Sequence, residues 1–201
     1  MKTIIALTLA TLIATPALAA SDNGSSAPMN DNMSMAQDSG ASVEVGGAPM
    51  YANRTIAENA PKASNLTTLV AAVKAAGLVE TLGGPGPFTV FAPDNAAFEK
   101  LPAGTVETLV KPENKEMLTK ILTYHVVPAR ATSQAAAQMI KDDGGKHTVT
   151  TVEGEPLTLA MSGDNITVTD AKGNVATVTQ ADVLQANGVV HIIDTVLMPA
   201  N

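Results

Sequence analysis

The chain has 201 residues, a formal net charge of −7, no cysteine, no tryptophan and an aromatic content of only 2%. No Lys/Arg cluster interrupts the acidity, so neither phosphate neutralisation nor base stacking has a platform, which argues against a nucleic-acid partner. Without cysteine the chain carries neither disulfides nor the lipidated cysteine of a lipoprotein, and its stability must come from a packed core.

Lys2, the apolar run Ile4 to Ile13 and the small-x-small triplet Ala17-Leu18-Ala19 have the layout of an export signal, with cleavage expected after Ala19. The run is shorter than the roughly 20 apolar residues of a spanning helix. Residues 20–48 are rich in Ser, Gly, Asn, Asp and Met, a composition expected to form a disordered polar linker. Within it Met29, Met33 and Met35 offer soft thioether donors that could hold Cu(I), but a flexible segment must lose backbone entropy to assemble a site and the ordinary reading is a plain spacer. Order is expected to begin near Met50, so that residues 49–201 make one domain.

Thr55 to Asn59 suggests a short helix, and Ser64 is placed to cap a longer one striped by Leu66, Leu69, Val70 and Val73, with Gly77 as its C-terminal stop. Gly83 to Pro87 is a turn. Phe88 to Ala92 then alternates with apolar residues on both faces, the pattern of a buried strand. Asp94 follows Pro93 at the N-cap position of a helix, where Pro93 and Phe98 can pack as a hydrophobic staple. Phe88, Phe91 and Phe98 are the three phenylalanines of the chain.

Pro112 fits the first turn of a helix whose Met117, Leu118, Ile121 and Leu122 share a face. Leu122 to Val127, with Tyr124-His125 at its middle and Pro128 after it, has the look of a buried strand. Ser133 to Ile140 suggests one more helix. From His147 onward short alternating runs and Gly/Asn turns predict a meander of hairpins, and Val189 to Leu197, apolar on both faces, predicts a central strand.

Chemical equipment is sparse. His125 and His191 lie inside apolar runs, where a hydrogen-bonded core imidazole is the ordinary role. An odd separation along a strand sends His191 and Asp194 to opposite faces, so they form no dyad. Three histidines without cysteine lack zinc-ligand spacing, and no nucleophile-elbow, zincin or P-loop motif occurs. No catalytic residue, metal or cofactor is expected.

Three blocks in order, TVFAPDNAAF at Thr89 to Phe98, ILTYHVV at Ile121 to Val127 and NGVVHIIDTVL at Asn187 to Leu197, resemble the fasciclin (FAS1) domain family, in its bacterial, secreted single-domain form. The resemblance spans about Pro49 to Pro199 and implies an α+β fold, a wedge-like β-sandwich of about seven strands with several helices packed along it. Phe88, Phe91, Pro93, Asp94, Phe98, Gly188 and His191 would be its structural motif residues. It further implies a non-catalytic adhesion or matrix protein, periplasmic or at the cell surface. The partner would be a surface or matrix protein or a polysaccharide, with weak self-association.

Binding residues carried over from adhesive members are Tyr124, His125, Asp182, Val183 and Leu184. Gln180 and Ala181 stand where some of those members have Glu-Pro, and Val183 replaces Ile. An exposed Asp182 carboxylate could complete the shell of a receptor-bound Mg²⁺, or it could simply cap a turn over Val183 to Ala186. Alternatives to adhesion are a carrier of an apolar small molecule, such as a carotenoid or lipid, and, ranked last, an uncharacterised hydrolase.

Overall fold

The computed structural model describes residues 41–200. The expected export signal and the Met29, Met33 and Met35 segment lie outside the described residues. The ordered chain starts earlier than Met50: β1 (Ser42–Val45) and β2 (Ala48–Tyr51) form an antiparallel ribbon with Val45 opposite Ala48. Val45 and Met50 explain it, because both are buried in the main core, at 1% and 3% exposure.

A helical half follows. It comprises α1 (Ile56–Asn59), α2 (Thr67–Ala76), α3 (Val79–Gly83), strand β3 (Phe88–Pro93), α4 (Asn95–Glu99), α5 (Thr105–Leu109), α6 (Lys115–Tyr124), β4 (Val126–Val127) and α7 (Ser133–Asp142). The remainder is β5 (Lys146–Thr150), β6 (Pro156–Ser162), β7 (Asn165–Thr169), β8 (Val175–Gln185) and β9 (Gly188–Ile193). Seven strands make one mixed sheet in the order β4-β3-β9-β8-β7-β6-β5, antiparallel throughout except where β3 runs parallel to β9.

The pair β3–β9 is the spine. Val90, Ala92, Val190 and Ile192 face a core shared with α2 and α6, whereas Phe91 and Ile193 face a second core with Tyr124, Ile140, Leu157 and Val168. Alternation along two-sided strands thus places one strand pair between two cores. Gly188 permits the close approach that this needs, since a Cβ there would lie 2.1 Å from the Phe88 carbonyl oxygen.

Local signals operate where they are self-contained. The Asp94 carboxylate accepts from Ala97 N at 2.7 Å, and Gly77 ends α2 at φ 77°. Three expectations need correction. Ser64 does not cap α2; its hydroxyl donates to the Gly46 carbonyl, and Thr68 N donates instead to Asn95 Oδ1 of α4 at 3.1 Å. Leu122 to Tyr124 is helical rather than extended, because Leu118, Ile121 and Leu122 continue one buried face and the strand is only Val126–Val127. The last strand stops at Ile193, as Asp194 turns to accept from Thr177 N at 2.8 Å.

Candidate functional site

The expected binding residues lie at two places, the end of α6 and the bulged part of β8, and the bulge is joined to the loop 128–132 and the start of α7. Tyr124 and His125 close α6. The Tyr124 side chain is fully buried; its hydroxyl donates to the Pro156 carbonyl at 3.0 Å and accepts from Ala171 N at 2.8 Å. Burial raises its pKa.

His125 is 2% exposed. Leu197 N donates to its Nε2 at 3.0 Å, so Nε2 is the bare nitrogen and Nδ1–H donates to the Ile121 carbonyl at 2.8 Å. Burial pushes this imidazole down to about 4, against a smaller upward pull from the Ile121 bond. It stays neutral at neutral pH and ties the C-terminal segment to α6.

The loop after β4 is held by Thr89, whose hydroxyl donates to the Ala129 carbonyl at 2.6 Å and accepts from Ala131 N at 2.8 Å. His191, stacked on Phe91 with ring centroids 5.7 Å apart, donates from Nε2 to the Ala131 carbonyl at 2.8 Å. Its Nδ1 accepts from Asp182 N at 3.3 Å. Burial lowers its pKa as well.

Asp182 sits where the β8–β9 register slips, between Gln180 and Val183, with φ 58°. An aspartate tolerates this left-handed region better than most residues, and a bulge re-aims its side chain. The carboxylate accepts from Ser133 N at 2.7 Å and from the Ser133 hydroxyl. It therefore supplements Thr132, which accepts from Ala135 N at 3.3 Å, as a cap for α7. Neither earlier expectation fits: the carboxylate is not a free ligand on a protruding loop, and the following residues form strand rather than a capped turn.

Val183 is buried at 1% exposure, and Leu184, pointing the other way along the strand, is 36% exposed. Of the five expected residues, then, Tyr124, His125 and Val183 are core, Asp182 is half-buried and engaged, and Leu184 faces solvent. Of the other expected structural residues, Phe91 and Pro93 lie on β3, Asp94 precedes α4, Gly188 and His191 lie on β9, and Phe88 and Phe98 are partly buried against the main core.

Two further features make ties between distant segments that the sequence did not reveal. Asn187, at the β8–β9 turn, accepts from Ile56 N at 3.1 Å and donates to the Leu82 and Gly84 carbonyls at 2.7 and 2.9 Å, joining segments far apart in sequence. Asp170 is 6% exposed and accepts from Lys172 N, Asn174 N and Met198 N at 2.8 to 2.9 Å, pinning a turn to the C-terminal segment. Among the described residues no group of three or more His, Cys, Asp or Glu side chains is placed to hold a metal.

A mixed seven-stranded sheet flanked by helices, with a Tyr-His helix end tied to the last segment, defines an α+β domain whose buried polar groups hold structure together. A family model for the fasciclin domain matches residues 64–199, and the chain belongs to that family. It is 52% identical over 145 residues to protein sll1483 of Synechocystis sp., covering 72% of this chain and 73% of that one. It is 40% identical over 147 residues to cell surface glycolipoprotein MPB83 of Mycobacterium bovis, covering 72% of this chain and 59% of the relative. The FAS1 domain pair of the insect cell adhesion molecule Fasciclin I superposes with a TM-score of 0.51 at 26% identity, over 65% of this chain and 44% of that one.

Proposed function

We propose that the protein is an exported, non-catalytic binding module that mediates adhesion or contact with a surface or matrix component. The observation that carries the reading is the family match over residues 64–199, within a set of relatives that includes a cell surface glycolipoprotein and a cell adhesion molecule. The site geometry supports it: the titratable side chains at the carried-over positions are committed to structural hydrogen bonds, which leaves shape and apolar surface as the means of recognition.

The contact face we assign is the outer side of the β8 bulge. Leu184 is its exposed apolar residue, and the β1–β2 ribbon lies beside it, joined through Gln180 Nε2 donating to the Glu44 carbonyl at 2.7 Å. Val43 on that ribbon is also 36% exposed. Val183 packs into the main core behind this face, and Asp182 fixes its backbone. The partner is a surface or matrix protein or polysaccharide of the producing cell's surroundings.

The test is attachment of cells or purified matrix material to the immobilised domain. Leu184→Glu should reduce attachment several-fold with an unchanged thermal midpoint. Equal attachment by Leu184→Glu and Val43→Glu would remove this face from the reading. A second reading, binding of a small apolar molecule, is favoured by one observation: an apolar cavity lies between α2, α3 and the β3–β9 pair.

A further inference from the structure

The cavity has a volume of about 100 Å³ and extends from the buried side chains of Leu69, Val90 and Val190 to Val79 and Val152 at the surface. Those two valines are 39% and 43% exposed, so the opening has apolar rims. Its deep polar side chains are already committed. Asn59 donates to the Tyr51 carbonyl at 2.8 Å and to Gln185 Oε1, and both His125 nitrogens are bonded. A water needs two to four polar partners, and nothing here supplies them, so the space is dry and suited to an apolar guest.

One charged residue lines it. Lys74, exposed in the last turn of α2, forms no ion pair among the described residues, and the lining contains no carboxylate. A second ammonium, from Lys115, lies 3.5 Å from the place a Cβ would occupy on Gly77, at the turn between Lys74 and Val79. In a chain of net charge −7, an apolar cavity lined by one lysine and no carboxylate is complementary to one kind of molecule, an anionic amphiphile.

We infer that this cavity takes the end of a single alkyl chain whose anionic head group pairs with Lys74 at the mouth. An engineered apolar cavity of about 150 Å³ holds one benzene, so a space of this size accommodates a few carbons of a free carboxylated chain rather than an extended polyene. The remaining methylenes lie along Val79. This site is separate from the β8 face, and its failure would leave that face unaffected.

Amide chemical shifts of the ¹⁵N-labelled domain, titrated with decanoate below its micelle concentration, provide the test. Decanol serves as the neutral-headed probe, acetate as the tail-less one and xenon as the head-less one. The expected result is saturable shifts at Val73, Leu78, Leu82 and Val190 with decanoate and decanol, shifts at the same amides with xenon, and none with acetate. Lys74→Glu should weaken decanoate about tenfold and leave decanol unchanged; Val73→Phe, filling the space, should weaken both.

Absence of saturable decanoate binding overturns the proposal, as does a Lys74→Glu variant that treats the two probes alike. Xenon without effect would show that the space is closed. Co-sedimentation with phosphatidylglycerol vesicles in a protein that ignores free decanoate would also overturn it, by showing that a lipid surface is what the lysines meet.

Discussion

At Asp182 a single side chain does two local jobs, holding a left-handed bulge and capping a helix forty-nine positions away. Replacing it with Ala removes the acceptor for Ser133 and leaves a β-carbon at φ 58°, so the folded state should lose about 1 to 2 kcal/mol, read from the urea midpoint. Asp182→Asn keeps one acceptor and tolerates the same backbone, so its loss should be smaller. A drop in attachment that merely tracks this destabilisation would mark Asp182 as a support, not a contact.

His125 makes a second prediction at this scale. Its pKa is depressed from 6.5 in the unfolded chain to about 4 in the fold, so the unfolded state binds more protons between those values. The stability that depends on the neutral ring is fully present above pH 6.5 and is lost as the pH falls towards 4. The loss is on the order of 3 kcal/mol across the window, from about 1.4 kcal/mol per unit. Urea midpoints between pH 7 and pH 4.5 should fall accordingly, while NMR should show the His125 ring still neutral at pH 5. A ring that titrates near 6.5 in the folded protein would contradict the buried hydrogen-bonded geometry.

Elements in this protein are closed by one another. Helix α2 begins without its own cap, and Asn95, the first residue of α4, supplies the acceptor through Oδ1 while its Nδ2 donates to the Ser64 carbonyl at 3.1 Å. Asn95→Ala should therefore cost about 1 kcal/mol, the usual effect of losing a cap, although Asn95 is not adjacent to α2 in sequence. The pair β3–β9 is more sensitive. Gly188→Ala forces a β-carbon against the Phe88 backbone oxygen where the two strands of the spine begin to pair, and a backbone atom cannot swing aside as a side chain could. A loss of at least about 2 to 3 kcal/mol is expected in thermal or urea unfolding.

At the scale of the molecule, the β1–β2 ribbon belongs to the domain because it covers the main core with Val45 and Met50. A chain starting at Pro49, the boundary suggested by composition, removes β1 and uncovers the surface that Val45 protects. It should be less stable than one starting at Ala41 by about 1.5 to 3 kcal/mol, the value of one buried valine, with an increased affinity for apolar dyes as a second readout. Two cores flank the β3–β9 pair, and polar ties such as Asn187 and Asp170 link segments distant in sequence without a disulfide.

Much of this was legible from sequence where the determining interactions are local. Asp94 caps the helix it precedes, Gly77 stops the helix it follows, and the alternation around Phe88 to Ala92 specifies a strand buried on both faces, because a cap, a left-handed stop and a pleat each act over a few residues. The three fasciclin blocks were readable for the same reason, being contiguous. Tertiary structure alone decided that Asp182 turns to Ser133, that Tyr124 and His125 end a helix with their polar atoms facing inward, that Asn95 caps α2, and that the core has an apolar opening beside Lys74. These depend on which distant segments meet, and an apolar run such as Leu122 to Val127 suits a helix face or a strand equally well until a partner surface selects one.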